Sequence, residues 1–146
     1  CEEMNDPGNL GTVIRTAHAA GVDGGILSKG SVDLYNSKVL RSTMGSVFKI
    51  PVVQEADIKE TTDYMHKYGI KFFAAHLKGR KQHYEADYTR GCAFMLGNEA
   101  RGLSEVSASL CDELIKIPMP GGAESLNASV AAAVLMYEAV RQKLCR

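Results

Sequence analysis

The sequence predicts an α/β domain built on a mainly parallel β-sheet with helices on both of its faces. Short apolar runs typical of strands alternate with helical patterns along the 146 residues, which is the order expected of βαβ units. One run, residues 92–96, is apolar at every position, as in a strand covered on both faces. Residues 1–146 are therefore predicted to form one domain, long enough to bury a core.

Helices are indicated where apolar residues recur at helical spacing between a capping residue and a stop signal. Asn9 is the expected cap of the first helix and Gly21 its stop, and Asp57 caps a later helix. Ser125 or Asn127 is a natural N-cap for the final helix. The predicted helical ranges are 10–20, 37–44, 57–68, 104–110 and 126–143.

Short apolar segments bounded by turn residues predict the strands. Residues 1–4 resemble the tail of an interrupted strand, and Pro51 interrupts another. The predicted strand ranges are 25–28, 48–53, 70–75, 92–96 and 114–117. Parallel sheets bind ligands at the carboxyl ends of their strands. The loops after Ala75, at Gly97 and at Pro118 are therefore the candidate ligand-binding loops.

The connection from the last strand to the last helix has the composition of a ligand cradle. Pro118 and Pro120 end the strand, because proline lacks a backbone N–H and fixes φ. Gly121 and Gly122 permit a tight turn, and the following helix offers free N–H donors at its N-terminus. The same pattern also fits an ordinary strand-to-helix connection.

Composition excludes several classes of protein. A formal net charge of zero argues against binding nucleic acid by bulk charge, although it leaves room for a local basic patch. The four cysteines have no metal-binding or redox spacing, and no apolar run approaches the roughly 20 residues that span a bilayer. We therefore expect reduced thiols, a cytoplasmic location, no metal and no membrane contact.

The common phosphate-binding and nucleophile motifs are absent. Neither G-x-G-x-x-G nor G-x-x-x-x-G-K-[ST] occurs, and no serine or cysteine lies in a recognisable nucleophile turn. The four histidines are scattered along the chain, as expected of ordinary surface or core residues. Proton and metal chemistry are thus poorly supported, and group transfer from a bound donor, driven by positioning, fits better.

Three segments, taken together and in this order, resemble the SpoU (TrmH-like) family of RNA ribose 2′-O-methyltransferases in the SPOUT superfamily. Residues 5–17 read Asn-Asp-Pro-Gly-Asn-Leu-Gly-Thr-Val-Ile-Arg-Thr-Ala. Residues 94–103 read Phe-Met-Leu-Gly-Asn-Glu-Ala-Arg-Gly-Leu. Residues 117–121 read Ile-Pro-Met-Pro-Gly, and 125–130 read Ser-Leu-Asn-Ala-Ser-Val. Each segment alone is a weak signal, whereas the ordered triple is specific and brackets nearly the whole chain.

The resemblance implies S-adenosylmethionine as the methyl donor, held in a deep trefoil knot made by the C-terminal third of the chain. Knots are very rare, so periodicity alone would not predict one. Adenine binds in apolar slots with a few backbone hydrogen bonds, and Gly97 would let the backbone approach it closely. The residues that match the family's donor loops are Ala75, His76, Leu77, Leu96, Gly97, Asn98, Ile117, Pro118, Met119 and Leu126.

The resemblance also implies a catalytic set of Asn9, Arg15, Glu99, Ser125 and Asn127. Arg15 matches the family's proposed activator of the ribose hydroxyl. A guanidinium hardly deprotonates in proteins, so we expect it to hold an RNA phosphate and polarise the hydroxyl. Glu99 is expected to orient Arg15 or a backbone amide, of its own or of the partner subunit. Ser125 and Asn127 are expected to fix the loop and the ribose. Outside this resemblance, Arg15 would be a solvated helix residue and Asn127 a plain N-cap.

Substrate and assembly follow from the resemblance as expectations. Residues 30–36 and 42–46 look most like members assigned to ribosomal RNA, which makes ribosomal RNA the expected substrate. Many such members carry an additional N-terminal RNA-binding domain, so the chain is interpreted as a catalytic domain without it. Family members are homodimers that share the active site, and the apolar face of the final helix is a candidate interface or core surface. That face comprises Val130, Val134, Met136, Tyr137 and Val140.

Two other functions stay open. The chain fits a tRNA ribose methyltransferase of the same family, or a non-catalytic module that binds RNA or a ligand on the same scaffold. A local phosphate-binding patch is also possible, although single cations of this kind usually only solvate a surface. The candidate cations are Lys29, Lys38, Arg41, Arg80, Lys81 and Arg101.

Overall fold

The computed structural model describes residues 1–145, so Arg146, the last residue of the predicted domain, lies outside the described part. The strands are β1 (Gly25–Ser28), β2 (Val52–Ala56), β3 (Lys71–Ala75), β4 (Lys81–Gln82), β5 (Cys92–Met95) and β6 (Glu113–Lys116). The helices are α1 (Pro7–Ala19), α2 (Ser37–Thr43), α3 (Ile58–His66), α4 (Glu105–Ser109) and α5 (Ala128–Leu144). Two short 3-10 turns lie at Ser46–Phe48 and His83–Glu85.

All strand pairs in the described sheets are parallel, as predicted. One sheet has the order β4-β6-β3-β5, and β1 pairs with β2 in a second. Residues 1–4 connect the two, because the N–H of Glu2 donates to the carbonyl of Leu96 (2.7 Å) and Ser28 donates to the carbonyl of Cys1 (2.9 Å). The predicted strand tail at the start of the chain therefore lies where a strand would join both sheets.

Helices cover both faces of the four-stranded sheet, which confirms the predicted α/β class. Successive side chains of a strand point to opposite faces. Phe73 and Ile115 pack with Leu135 of α5 on one face, and Phe72 packs with Met65 of α3 on the other. Apolar burial of this kind stabilises a domain by roughly 25 cal/mol per Å².

Helix α1 lies in a third apolar cluster that joins the two sheets. Leu10 and Ile14 of α1 are buried with Val39 of α2 and Met136 of α5. The two helices α1 and α2 approach so closely that a Cβ added at Gly11 would lie 2.2 Å from the Cβ of Ser42. Only glycine fits there, so α2 fixes the position of α1.

Two predictions about local structure were wrong. The strand predicted over residues 48–53 begins only at Val52 and runs to Ala56, because Ser46–Phe48 is a 3-10 turn with Val47 buried beneath it and β2 starts after Pro51. Asn9 does not cap α1. Asp6 is the N-cap, since its side chain accepts a hydrogen bond from the N–H of Asn9 (2.7 Å) and Pro7 occupies the first helical position.

Residues 1–145 contain neither a membrane-spanning helix nor a cluster of metal-binding side chains. None of the helices described there combines the length and apolar character needed to cross a lipid bilayer. Over the same residues, His, Cys, Asp and Glu side chains form no group of three that could hold a metal ion.

Candidate active site

Three loops that carry predicted site residues leave the same edge of the sheet. Strands β3, β5 and β6 are parallel neighbours, so the loops that follow them start at one edge. The N–H of His76, in the loop after β3, donates to the carbonyl of Ile115 in β6 (2.9 Å). This hydrogen bond holds the loop after β3 against the neighbouring strand. The donor-binding residues predicted from the three motifs thus start from adjacent strand ends.

Gly97 lies at a very close approach of two backbone segments. Asn98 and Gly102 exchange backbone hydrogen bonds of 3.0 and 2.8 Å, which folds residues 97–102 into a tight loop. A Cβ at Gly97 would lie 2.2 Å from the carbonyl carbon of Gly102 and from the N of Leu103. The structure therefore explains this glycine by contact within its own loop, whereas the sequence suggested contact with a ligand.

The predicted donor residues offer apolar side chains beside backbone polar groups. Leu96 is buried in the cluster around α1, and Leu77 is 79% exposed. Pro118 is exposed, and the remaining side chains are partly buried: Ala75, His76, Asn98, Ile117, Met119 and Leu126. Apolar surface with nearby main-chain groups suits an adenine ring, so the chemistry of these loops fits the predicted donor.

Asn127 connects the final helix to α1. Its Oδ1 accepts hydrogen bonds from the N–H and Oγ of Ser129 (2.9 and 2.6 Å) and from the N–H of Val130 (3.3 Å), so it caps α5. Its Nδ2 donates to the Oδ1 of Asn9 (3.0 Å). The structure thus brings two of the predicted catalytic residues into direct contact across 118 positions of sequence.

The cap and the link at Asn127 are separable by mutation. We expect Asn127→Ala to lower the free energy of unfolding by about 1–2 kcal/mol because it removes an N-cap. Asn9→Ala leaves the cap intact, so unfolding should change by less than about 0.5 kcal/mol, yet methyl transfer should fall if the link positions the loops. Chemical denaturation and a transfer assay on both variants measure this. Full activity of Asn9→Ala would show that the hydrogen bond between Asn9 and Asn127 is not needed for transfer and that Asn127 acts only as a cap.

Glu99 holds the start of α1 through backbone amides. Its carboxylate accepts hydrogen bonds from the N–H of Asn5 (3.2 Å) and of Asp6 (3.0 Å). Of the two expected partners, backbone amide or Arg15, the structure shows the amides, and they belong to the same chain. Asp6 in turn caps α1, so hydrogen bonds run from the Gly97 loop through α1 to the cap of α5.

Arg15 and Ser125 stand apart from this network. Both are exposed, and within residues 1–145 neither side chain makes a hydrogen bond or ion pair. On α1, Arg15 is one helical turn from Gly11 and one turn from His18. Gly11 contacts Ser42, and the Nδ1 of His18 lies 3.0 Å from the Oγ of Ser46. Its guanidinium is therefore available on the surface beside α2, where it can bind an anion.

No local sequence pattern predicts the contacts of the first residues with the Gly97 loop and the start of α4. The Glu2 carboxylate accepts hydrogen bonds from the Oγ atoms of Ser104 (2.7 Å) and Ser107 (2.6 Å). Although burial opposes it, these bonds hold the pKa of Glu2 below its ordinary value. Glu3 forms an ion pair with Arg101, beside a cavity of about 270 Å³. Partners about 100 positions apart leave no local pattern, whereas the Asp-Pro pair at the start of α1 is a recognisable N-cap signal.

Comparison with known proteins identifies close relatives of this chain. The model of the SpoU rRNA Methylase family matches residues 1–137. The 23S rRNA (uridine(2479)-2′-O)-methyltransferase of Streptomyces viridochromogenes is 38% identical over 98% of this chain and 52% of its own length. RlmP of Bacillus subtilis, a 23S rRNA (guanosine(2553)-2′-O)-methyltransferase, is 40% identical over 93% of this chain and 54% of its own length.

A solved structure agrees with these sequence matches. The crystal structure of the SpoU methyltransferase AviRb from Streptomyces viridochromogenes in complex with the cofactor AdoMet superposes with a TM-score of 0.92 and 36% sequence identity. The match covers 98% of this chain and 56% of that one. The chain described here spans about half the length of the relatives it matches.

Proposed function

Because the chain belongs to the SpoU rRNA methylase family, we propose that it methylates a ribose 2′-hydroxyl in ribosomal RNA with S-adenosylmethionine as donor. The sulfonium donor supplies an activated methyl group: its S–CH3 bond breaks as the O–CH3 bond forms, and the hydroxyl proton leaves the ribose oxygen. The observation that carries the proposal is the hydrogen-bonded connection of three motif segments at one sheet edge, through Glu99, Asn9 and Asn127.

The donor is proposed to bind against the loops that follow β3, β5 and β6. The residues assigned to it are Ala75, His76, Leu77, Leu96, Gly97, Asn98, Ile117, Pro118, Met119 and Leu126. Their mixture of apolar side chains and main-chain polar groups supports this assignment. We further propose that the C-terminal third of the chain forms a trefoil knot. A crystal structure of the protein with the donor, traced through these residues, tests both points.

Arg15 is proposed to act on the acceptor. Its exposed guanidinium has five N–H donors and stays charged, so it can grip an RNA phosphate and polarise the neighbouring 2′-hydroxyl. The phosphate or another neighbouring group then takes the proton, because Arg15 itself holds its own. Ser125 is exposed near the cap of α5 and is proposed to contact the ribose, while Glu99, Asn9 and Asn127 position the loops.

The proposal is tested first by calorimetric titration with S-adenosylmethionine, with adenosine triphosphate as control. Binding of the first ligand alone supports a methyl donor site. Transfer of labelled methyl groups is then measured on ribosomal RNA and tRNA side by side, and incorporation into ribosomal RNA is expected. Incorporation into tRNA alone would favour the tRNA enzyme, and donor binding without transfer to either RNA a non-catalytic module. Because the proposed substrate is ribosomal RNA, we also propose a cytoplasmic location for the protein.

We also propose that the protein is a homodimer through the outer face of α5. The sequence left the apolar face of α5 open between interface and core. Met136 is buried in the core, whereas Val130 and Tyr137 are 47% and 50% exposed. These two lie seven positions apart, so they share one face of the helix. Exposed apolar residues on one face are typical of an interaction site.

We expect Tyr137→Lys to raise the dimer dissociation constant at least tenfold, because burying an unpaired ammonium costs well over about 1.4 kcal/mol. Tyr64→Lys, at an exposed tyrosine of α3 on the opposite face of the sheet, is the matched control and should not change the dissociation constant. Sedimentation velocity over a concentration series measures both. A wild-type monomer, or a dimer indifferent to Tyr137→Lys, contradicts this interface.

A further inference from the structure

Two segments of this chain contain basic residues but no acidic ones. Formal net charge is zero over the whole sequence, yet α1 and residues 34–50 contain no aspartate or glutamate. The same segments contain four basic residues: Arg15, Lys38, Arg41 and Lys49. A surface formed by these segments is therefore positive although the protein is neutral, and such a surface attracts phosphates.

The structure packs the two segments together. The contact of Gly11 with Ser42 joins α1 to α2, and the hydrogen bond of His18 with Ser46 joins α1 to the 3-10 turn. Arg15 lies on α1 between those two contacts. Val39 and Val47 are buried, which anchors the segment from below and leaves its charged side chains exposed. We name the α1–α2 surface by its exposed residues: Arg15, Lys38, Arg41, Met44, Phe48 and Lys49.

Two large apolar side chains lie among these cations without a partner in the fold. Met44 is 72% and Phe48 77% exposed. Met44 is also held at a φ of 48°, in the left-handed region that costs a non-glycine residue about 1–2 kcal/mol. This conformation has a structural role, because Met44 is the C-cap of α2 and its N–H donates to the carbonyl of Arg41. The side chains of Met44 and Phe48 bury little apolar surface in the fold, and exposed apolar groups of this kind are typical of binding sites.

We propose that the α1–α2 surface binds a single-stranded segment of the RNA substrate. Lys38, Arg41 and Lys49 contact the phosphates, and an unstacked base lies on the ring of Phe48. Bases can stack on aromatic side chains only where they are not stacked in a duplex. The inference rests on the proposed function, since it supplies the contacts that would hold RNA beside Arg15.

Charge favours RNA over a second copy of the chain at this surface. A two-fold interface would place the surface against itself and bring the cations of both copies together without an acidic residue from either segment. Two of the other candidate cations are already engaged, because Lys81 pairs with Glu113 (2.8 Å) and Arg101 pairs with Glu3. They are therefore less available to phosphate than those of the α1–α2 surface.

The structure also offers a matched control surface on and beside α3. Tyr64 and Tyr68 are 58% and 68% exposed, and their rings lie 5.1 Å apart. Lys67 is exposed next to them, but Glu60 and Asp63 are exposed on the same helix. This surface has aromatic rings and a lysine without the excess of positive charge.

The test is fluorescence anisotropy with a labelled oligouridine of roughly 12 nucleotides, which is long enough to span a single-strand binding surface. The protein is titrated at several salt concentrations. Phe48→Ser should weaken binding roughly tenfold through lost stacking, with little change in salt dependence. Arg41→Gln should reduce the slope of log K against log salt by about 0.7, the value for one lost phosphate contact on a single strand. Tyr68→Ser and Lys67→Gln should bind as the wild type does.

Several outcomes overturn the proposal. They are no binding of oligouridine by the wild type, equal binding by all four variants, or tighter binding of a 12-base-pair duplex than of the single strand. A change of oligomeric state in Phe48→Ser at unchanged RNA affinity would assign the surface to a second copy. Calorimetric titration with S-adenosylmethionine is made on the same samples, so failure of the proposed methyltransferase function is seen separately from failure of this surface.

Discussion

Replacing Arg15 with alanine should lower the rate of methyl transfer by about 100- to 1,000-fold, the range seen when one group that stabilises transition-state charge is removed. Arg15 is exposed and forms no ion pair within residues 1–145, so its loss should hardly affect stability. It also lies outside the three donor loops, so S-adenosylmethionine should bind unchanged. Single-turnover transfer of labelled methyl groups and calorimetric titration measure the two quantities.

Arg15→Lys separates the role of positive charge from that of the guanidinium fork. Lysine keeps the charge but binds phosphate as a point charge and cannot form two parallel hydrogen bonds. Full turnover of Arg15→Lys would refute a bidentate grip on the phosphate. Arg90→Ala is the matched control, because Arg90 is exposed and lies near the amino end of β5, at the opposite edge of the sheet from the proposed site.

Local signals predicted most elements of this fold. Asp57 and Asn127 are caps as expected, since the side chain of each accepts hydrogen bonds from the backbone of the next turn. The apolar run at residues 92–96 predicted β5, which lies at one edge of the four-stranded sheet. These features depend on residues within one or two turns of each other, which is why sequence alone identifies them.

Predictions failed where packing between distant segments decides the structure. Residues 48–53 were predicted to form a strand, but only its last two residues lie in β2. Before Pro51, Val47 and Ile50 are buried while Phe48 is exposed, as in the observed turn. The sequence left Met136 open between interface and core, and only the apolar cluster around α1 shows that it is core. Tertiary contacts override local pattern in both cases.

In the candidate site, too, the residues could be predicted but their long-range contacts could not. Family resemblance selected Asn9, Glu99 and Asn127, yet it did not show that Glu99 binds the amides of Asn5 and Asp6 or that Asn9 accepts from Asn127. Those contacts span 93 to 118 positions, so no local spacing encodes them. The roles assigned to Arg15 and Ser125 stay predictions until the transfer assays are made.

Gly97→Ala should be the most destabilising single change among the donor loops. The added Cβ would lie 2.2 Å from the backbone of residues 102 and 103, and backbone cannot rotate away as a flexible side chain can. Overpacking usually costs about 1–3 kcal/mol, so this contact should cost about 3 kcal/mol or more. For a domain of this size the melting temperature should fall by roughly 10 °C.

Gly121→Ala is the matched control, because Gly121 lies in another loop at the same sheet edge and a Cβ there meets nothing within 4 Å. Its melting temperature should stay within about 2 °C of the wild type. Since the Gly97 loop carries both proposed donor contacts and Glu99, Gly97→Ala should also bind S-adenosylmethionine more weakly than the wild type does. Calorimetry below the melting transition separates the two effects. A Gly97→Ala protein that melts and binds as the wild type does would show that the loop relaxes, and that its tight turn is dispensable for the donor site.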